Sequence, residues 1–423
     1  MTEDYLHYIW KFQKFDKTSL KTKGGDKVVV VYPGQHNKDA GADFQAAKLH
    51  IGEQLWAGAV EIHIRSSDWF KHKHEDDEAY KNVVLHVVYE DDLSAEEQPL
   101  NGSLPVLELK SLFDEYGYWR YEQLIGQEGH IPCHVQFAEV DELYKNQMLD
   151  RVLIERLEEK QQLVLNALTY RENDWEAAFF DYTAYGFGLK VNAEPMQQLA
   201  RLLHPKLFNH YAFADKSIEA LVFGTSGLLE KRTGAYADEL KKEYNFLTKK
   251  HHLQHTNASI WKFSRLMPTA FPPIRLAQWS RLWQINGQLF SKVIKCGDIN
   301  EVKKIFRQEP LPYWQEHYDF EKPSKRKISA AGNDLIERVI INVVVPFLFA
   351  YGRQKGEFFY EQRALDLLDQ LSAEANKITR LYKQLGVKAG SAAESQAQVQ
   401  WFKKYCAAKK CLNCAVGNAI LKI

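Results

Sequence analysis

The sequence predicts an N-terminal α/β domain with a small mixed sheet, followed by a larger, mostly α-helical domain. Two observations predict this arrangement. Before residue 149, β-branched runs and turns follow one another in the order α-β-β-β-α-β. From residue 149 onwards, leucines recur at helical spacing among charged residues. We therefore expect one domain over residues 1–148 and a second over residues 149–423.

The N-terminal elements are predicted from local patterns. Residues 2–15 have the apolar spacing of an amphipathic helix, with Thr2 as its N-cap. Pro33 and Gly34 end the first β-branched run, and Gly52 marks a hairpin turn. The predicted strands cover residues 27–32, 46–51, 55–64 and 83–89, with a short helix inside residues 68–81.

The second part of the chain contains a series of segments with helical periodicity. The predicted helices cover residues 149–171, 175–186, 195–203, 216–230, 235–250, 274–294, 334–350, 361–385 and 393–408.

Composition limits the classes of function. The chain has 423 residues, 45% of them hydrophobic, and equal numbers of basic and acidic residues at 55 each. It is therefore not a globally basic nucleic-acid binder, although a local basic patch remains compatible with this balance. The most apolar run, residues 339–350, contains Asn342 and Pro346, so we expect a buried helix or strand and no membrane partner. The first residues lack the pattern of a signal peptide, and we expect a cytoplasmic protein.

A dense group of histidines and carboxylates gives the clearest chemical signal. Glu61 and His63 lie two residues apart in a β-prone run, so both side chains should project from one face of a strand. Six of the fifteen histidines fall within residues 34–92. The same stretch supplies further groups that bind metals or transfer protons, namely Asp43, His72, His74, Asp77 and His86. We therefore predict a catalytic or metal-binding site here.

An aspartate before the second strand and Glu-x-His on the third resembles the PD-(D/E)XK nuclease superfamily. The resemblance implies that Asp43 and Glu61 bind Mg²⁺ or Mn²⁺, which activates water to cleave DNA or RNA. Glu3 on the first helix matches an acid that some members carry there. His63 occupies the position of the usual lysine, so either His63 acts as the base or a lysine comes from elsewhere, with Lys48 as the candidate.

Two alternatives remain open from the residues alone. His63, His74 and His86, with Glu61 and Asp77, would suit Zn²⁺, iron or manganese in a hydrolase acting on another substrate. The absence of a lysine two residues after Glu61 instead favours a non-catalytic binding protein with a degenerate nuclease core.

Several motifs along the chain resemble one uncharacterised bacterial family, catalogued as domain of unknown function 2851. They are Gly41-x-Asp43-Phe44, Trp56-x-Gly58-x-Val60-Glu61-Ile62-His63, Asp68-Trp69-x-x-His72-x-His74, Phe271-Pro272-x-Ile274-Arg275 and Asn342-x-Val344-x-Pro346. The resemblance covers nearly the full length and implies a soluble bacterial protein. The family has no established activity.

Three cysteines close to the C-terminus suggest a second metal site. Cys406, Cys411 and Cys414 follow the spacing Cys-x4-Cys-x2-Cys. Such a set binds Zn²⁺ or an iron–sulphur cluster if Cys133, Cys296 or a histidine supplies the fourth ligand. The alternative is a set of reduced cysteines packed at a helix end.

A basic loop over residues 322–327 is the candidate nucleic-acid contact. Lys325, Arg326 and Lys327 would contact a phosphate backbone there. A solvated loop is the alternative interpretation. The sequence does not indicate the oligomeric state.

Overall fold

A computed structural model describes residues 1–37, 40–94, 97, 99 and 103–421 of the chain. It divides into two compact units. The α/β unit comprises Met1–Met148 together with Trp401–Ile423, and the helical unit comprises Leu149–Gln400. The predicted fold class, a mixed sheet followed by a larger helical region, is confirmed. The predicted second domain extended to residue 423, whereas the residues from Trp401 onwards pack in the α/β unit.

The α/β unit is built on one mixed sheet. Its strands are β1 (Val28–Tyr32), β2 (Gln35–His36), β3 (Phe44–Ile51), β4 (Gln54–Arg65), β5 (Val83–Glu90) and β6 (Val106–Glu108). They lie in the order β1-β3-β4-β5-β6, with the short β2 also paired to β3. The first four strands pair antiparallel, while β5 and β6 run parallel to β4. The sheet therefore has β4 at its centre.

The centre of β4 is buried on both faces. Val60 and Ile62 fill the core on one face, and Glu61 and His63 are buried on the other, as the alternation predicts. Gly58 allows β5 to come close, because a Cβ atom there would lie 2.4 Å from Cγ1 of Val84. Burial of Glu61 and His63 in this packed sheet fixes the site on a rigid element.

Three helices of the α/β unit precede residue 127. They are α1 (Glu3–Lys11), α2 (Asp68–Lys71) and α3 (Tyr116–Gly126). Thr2 caps α1 as predicted, since its side chain accepts a hydrogen bond from the Tyr5 backbone N–H at 3.4 Å. The helix expected inside residues 68–81 is only one turn long. Lys73 adopts a left-handed conformation (φ 59°) and two 3₁₀ turns follow it.

Helices and one small hairpin make up the chain from Glu142 to Trp401, most of which forms the helical unit. The helices are α4 (Glu142–Tyr170), α5 (Trp175–Arg201), α6 (Pro205–His210), α7 (Asp215–Thr225), α8 (Ala235–His251), α9 (Pro272–Asn286), α10 (Leu289–Val293), α11 (Ile299–Phe306), α12 (Pro312–Glu316), α13 (Asn333–Val339), α14 (Val345–Lys355), α15 (Phe358–Asp369), α16 (Lys377–Gln384) and α17 (Ala392–Trp401). The hairpin pairs β7 (His317–Asp319) with β8 (Lys322–Pro323). A final helix, α18 (Ala415–Leu421), belongs to the α/β unit.

The predicted helix over residues 361–385 is in fact two helices. Asn376 begins the second one, because its side chain accepts hydrogen bonds from the backbone N–H groups of Ile378 and Thr379. The Thr379 hydroxyl accepts one from the Asn376 N–H in return. This capping box starts α16 afresh and explains the break.

The apolar run of residues 339–350 lies within one continuous helical segment, Asn333–Lys355. This segment is long and apolar enough to cross a membrane by length and composition. However, 78% of its most apolar window is buried inside the protein. The burial agrees with the expected core helix.

Candidate metal centre

Strand pairing brings the predicted site residues of β4 and β5 together. Glu61 is in register with His86, and His63 with Val88. Parallel neighbours in register project to the same face, so His86 joins Glu61 and His63. His86 is fully buried, and its Nε2 lies 2.9 Å from Nδ1 of His63.

Three imidazoles converge beside this pair. One ring nitrogen from each of His63, His72 and His74 lies within 4.8 Å of the other two. Nε2 of His63 is 3.1 Å from Nδ1 of His72. This distance is close to the roughly 3.3 Å that separates two nitrogen ligands of a tetrahedral Zn²⁺. Among the described residues, these histidines are the group with this metal-binding spacing.

The Glu61 carboxylate lies against the same nitrogens. Its Oε1 is 3.5 Å from Nε2 of His63 and 3.4 Å from Nε2 of His74. Its other oxygen, Oε2, accepts a hydrogen bond of 3.0 Å from the Asp43 backbone N–H. One carboxylate oxygen is therefore held by the neighbouring strand while the other faces the imidazoles.

Asp43, the residue before β3, accepts a hydrogen bond from β4 in return. Its Oδ2 accepts a 3.0 Å hydrogen bond from the Ile62 N–H and lies 3.2 Å from Nε2 of His7 on α1. Burial alone would raise the pKa of Asp43, but the hydrogen bond and charge of His7, with the Ile62 N–H, hold it below its usual range. Asp43 therefore stays ionised and positions Glu61.

Burial shifts the pKa values of the histidines and of Glu61 in opposite directions. Burial and the adjacent imidazoles of His86 and His72 lower the pKa of His63 to about 3. Burial also lowers the pKa of His74. Both rings are therefore neutral at pH 7, which is the form that ligates metals. Burial, reinforced by the Asp43 carboxylate, raises the pKa of Glu61 to about 8.

The aromatic residues around the imidazoles restrict their motion. The His74 ring stacks on Tyr80 with a centroid separation of 3.8 Å. Trp69, from α2, is buried. Its ring centroid lies 5.4 Å from that of His74 and 5.2 Å from that of His86. His72 is exposed, whereas His63 is 1% exposed, so the cluster has an open side at His72.

Two residues predicted for this site do not contact the cluster in the way expected. Lys48 lies away from it, and Asp77 makes a different contact. Lys48 is exposed and pairs with Ala57, four residues before Glu61 in β4, which places it roughly 13 Å away along the strand. Asp77 is exposed, and its side chain accepts a hydrogen bond of 2.9 Å from the Ala79 N–H. Asp77 therefore caps a 3₁₀ turn.

Two residues of the site were not predicted as specific ligands or bases from the sequence. His72 was counted among the histidines, but only the short α2 and the left-handed turn after it bring His72 to His63 and His74. His7 lies on the predicted first helix, four positions after Glu3. The spacing of four places both on one helix face, which is the signal that would have linked them to the site.

The predicted basic contact lies in the other unit. Lys325, Arg326 and Lys327 follow β8 in an exposed loop of the helical unit. The three C-terminal cysteines are buried in the α/β unit.

The fold and the cluster define an α/β domain with an imidazole–carboxylate site, joined to a helical unit. The chain belongs to the family described as Protein of unknown function (DUF2851), whose profile matches residues 3–377. The identification of this family from the sequence motifs is therefore confirmed. No curated protein and no solved structure matches the chain.

Proposed function

We propose that the α/β unit is a metal-dependent hydrolase that binds one transition-metal ion through His63, His72 and His74. The observation that carries this proposal is the convergence of three ring nitrogens within 4.8 Å of one another. An all-imidazole set favours Zn²⁺, iron or manganese over Mg²⁺, which prefers oxygen ligands. His86 would not bind the metal itself. Its contact with Nδ1 of His63 would orient Nε2 of the His63 ring toward the other ligands.

Glu61 is the proposed general base. A bound ion of this kind acts as a Lewis acid and lowers the pKa of its water. Oε1 of Glu61 lies beside the nitrogens of His63 and His74, within reach of such a water. The pKa of about 8 means that this carboxyl group ionises, and can then take a proton from water, as the pH rises through 8, and the charge of a bound cation would lower that pH. The Asp43 N–H holds the carboxylate in place.

A phosphodiester, as in nucleic acid, is the proposed substrate class. Its support is the pair of carboxylates Asp43 and Glu61, together with the strand order that resembles the PD-(D/E)XK nucleases. No comparison with known proteins supports that resemblance, so the substrate class rests on the residues themselves.

A carboxylate-bound Mg²⁺ or Mn²⁺ is the second candidate for the metal. Burial raises the pKa of Glu3, and the nearby Asp43 raises it further. Glu3 in turn raises the pKa of Glu61. Three carboxylates are therefore close enough to influence one another, and such a set attracts hard cations.

The first experiment is metal analysis of untagged protein, with His72→Ala and a matched control, His50→Ala, on β3 of the same sheet. We expect about one zinc, iron or manganese per chain in the native protein and in the control, and loss of it in His72→Ala. Equal metal content in all three would contradict the imidazole site. Mg²⁺ or Mn²⁺ that is lost only with Asp43→Ala would support the second candidate.

The second experiment measures hydrolysis of a simple aryl phosphodiester, single- and double-stranded DNA, and RNA. Glu61→Gln keeps the shape of the side chain and removes its basicity, so we expect turnover to fall by about 100-fold or more. Undiminished turnover in this variant would exclude Glu61 as the base. Bound metal without hydrolysis of any phosphodiester would exclude the proposed substrate class.

A further inference from the structure

The C-terminal cysteines meet a fourth thiol inside the α/β unit. Cys133, Cys406, Cys411 and Cys414 line one small cavity, and each is at most 8% exposed. Cys133 lies some 270 residues before the others in the chain, so its presence in the cavity is a product of the fold. Cys296, the fifth cysteine, lies in the helical unit.

The backbone folds tightly to bring the three C-terminal thiols together. Lys409 adopts a left-handed conformation (φ 52°), and the Lys410 N–H donates back to the carbonyl of Tyr405 at 2.8 Å. A second turn closes between Cys411 and Cys414, whose N–H donates to the Cys411 carbonyl at 3.2 Å. Cys-x2-Cys in such a turn presents both sulphurs to one side.

The fourth thiol comes from a separate turn. Residues 131–134 form it, with the His134 N–H donating to the Ile131 carbonyl at 3.1 Å. This turn places Cys133 in the wall of the cavity that Cys406, Cys411 and Cys414 also line.

We infer that Cys133, Cys406, Cys411 and Cys414 are the four ligands of an iron–sulphur cluster in the α/β unit. Four buried thiols around one cavity form a complete ligand set, which the three C-terminal cysteines alone do not. Each thiol releases its proton as its sulphur binds one iron, and two ferrous ions, two ferric ions and four sulphide ions are taken up from solution, so that assembly consumes no oxidant. This inference is independent of the proposed hydrolase activity.

The spacing of the thiols favours a cluster over a single zinc ion. Around one tetrahedral Zn²⁺, sulphur atoms lie roughly 3.8 Å apart. Among the described residues, only His63, His72 and His74 form a group of three ligand atoms that lie within 4.8 Å of one another. No three of the four thiols therefore lie within 4.8 Å of one another. A cluster accommodates this wider spacing, because each sulphur binds a different iron.

The test is iron and acid-labile sulphide analysis of the full chain, purified or reconstituted without oxygen. We expect about four irons and four sulphides per chain, with the visible absorption of iron–thiolate bonds. Cys133→Ser should lose both, whereas Cys296→Ala, the matched control in the helical unit, should keep both. A single zinc without sulphide, an unchanged iron content in Cys133→Ser, or no metal in the native chain would each overturn the inference.

Misfolding of the variant is distinguished by a second measurement. Hydrogen exchange of β3 and β4 reports whether the sheet is intact in Cys133→Ser. If the sheet is intact and iron is lost, the cysteine is a ligand. If Cys133→Ser unfolds, Cys411→Ser and Cys414→Ser are measured in the same way, and retention of iron by both folded variants would overturn the assignment.

Discussion

His63 holds the site together through both of its ring nitrogens. Nδ1 lies 2.9 Å from His86 and Nε2 lies 3.1 Å from His72. A neutral imidazole carries one proton, so only one of these two contacts can use a hydrogen of His63, and the partner ring must donate in the other. If His63 keeps its hydrogen on Nδ1, the lone pair of Nε2 faces His72 and accepts its hydrogen, and the proposed metal would take the place of that hydrogen.

A buried carboxylate in the helical unit, Glu219, should make the free energy of unfolding depend on pH. Glu219 of α7 is 2% exposed and accepts a hydrogen bond from the Tyr236 hydroxyl. Burial raises the pKa of Glu219 to about 7 from its ordinary value of 4.5. Between these values the folded chain binds the proton more tightly than the unfolded chain. The contribution of Glu219 to the free energy of unfolding is therefore largest below about pH 4.5 and falls as the pH rises to about 7.

Glu219→Gln should remove this dependence, because a neutral amide has no proton to lose. Between pH 5 and pH 8 the wild-type chain should lose on the order of 1–3 kcal/mol more unfolding free energy than the variant. Denaturant unfolding of the helical unit across this range measures the difference. Glu239→Gln, on the exposed side of α8, is the control and should follow the wild type. Parallel pH profiles for wild type and Glu219→Gln would refute the prediction.

At the scale of secondary-structure elements, the strands were predicted better than the loops. Alternation of apolar and polar residues placed β3, β4 and β5 to within a few residues, and with them the shared face of Glu61 and His63. The stretch after β4 was not predictable in the same way. Its periodicity suggested one helix, but the left-handed Lys73 ends α2, and this turn determines where His72 and His74 lie.

Gly58 offers a test of how closely β4 and β5 must pack. An alanine Cβ there would lie 2.4 Å from Cγ1 of Val84 and 2.6 Å from the Asn82 carbonyl oxygen, so β5 must shift. We expect Gly58→Ala to lower the stability of the α/β unit by about 1–3 kcal/mol. The metal affinity of the His63 site should fall as well, because β5 carries His86 in register with Glu61.

The control for this substitution lies in the same unit. A Cβ atom on Gly126, at the end of α3, meets nothing within 4 Å, so Gly126→Ala should be neutral or slightly stabilising. Thermal unfolding and chelator competition measure both variants. If Gly58→Ala behaved like Gly126→Ala, the close approach of the two strands would not determine the geometry of the site.

At the scale of the whole molecule, the C-terminal segment Trp401–Ile423 belongs to the same unit as the N-terminal residues Met1–Met148. The helical periodicity near residue 400 predicted continuation of the helical domain, since a local pattern does not reveal which core an element joins. The structure packs Trp401 against Phe137, with ring centroids 5.9 Å apart, and the Arg120 guanidinium donates to the Ile420 carbonyl at 2.8 Å. The proposed cluster also joins Cys133 to this segment. Such long-range contacts could not be predicted from spacing alone.

Removal of residues 401–423 should therefore unfold the α/β unit and spare the helical unit. The deletion takes away apolar side chains that are at most 7% exposed, namely Trp401, Tyr405, Leu412, Val416 and Leu421. At about 1.5–3 kcal/mol each, their burial is comparable to the whole stability of a typical domain. Hydrogen exchange should show loss of protection in β3 and β4, while α7 and α9 keep theirs. Loss of protection in α7 and α9 with an intact sheet would mean that the last residues stabilise the helical unit instead.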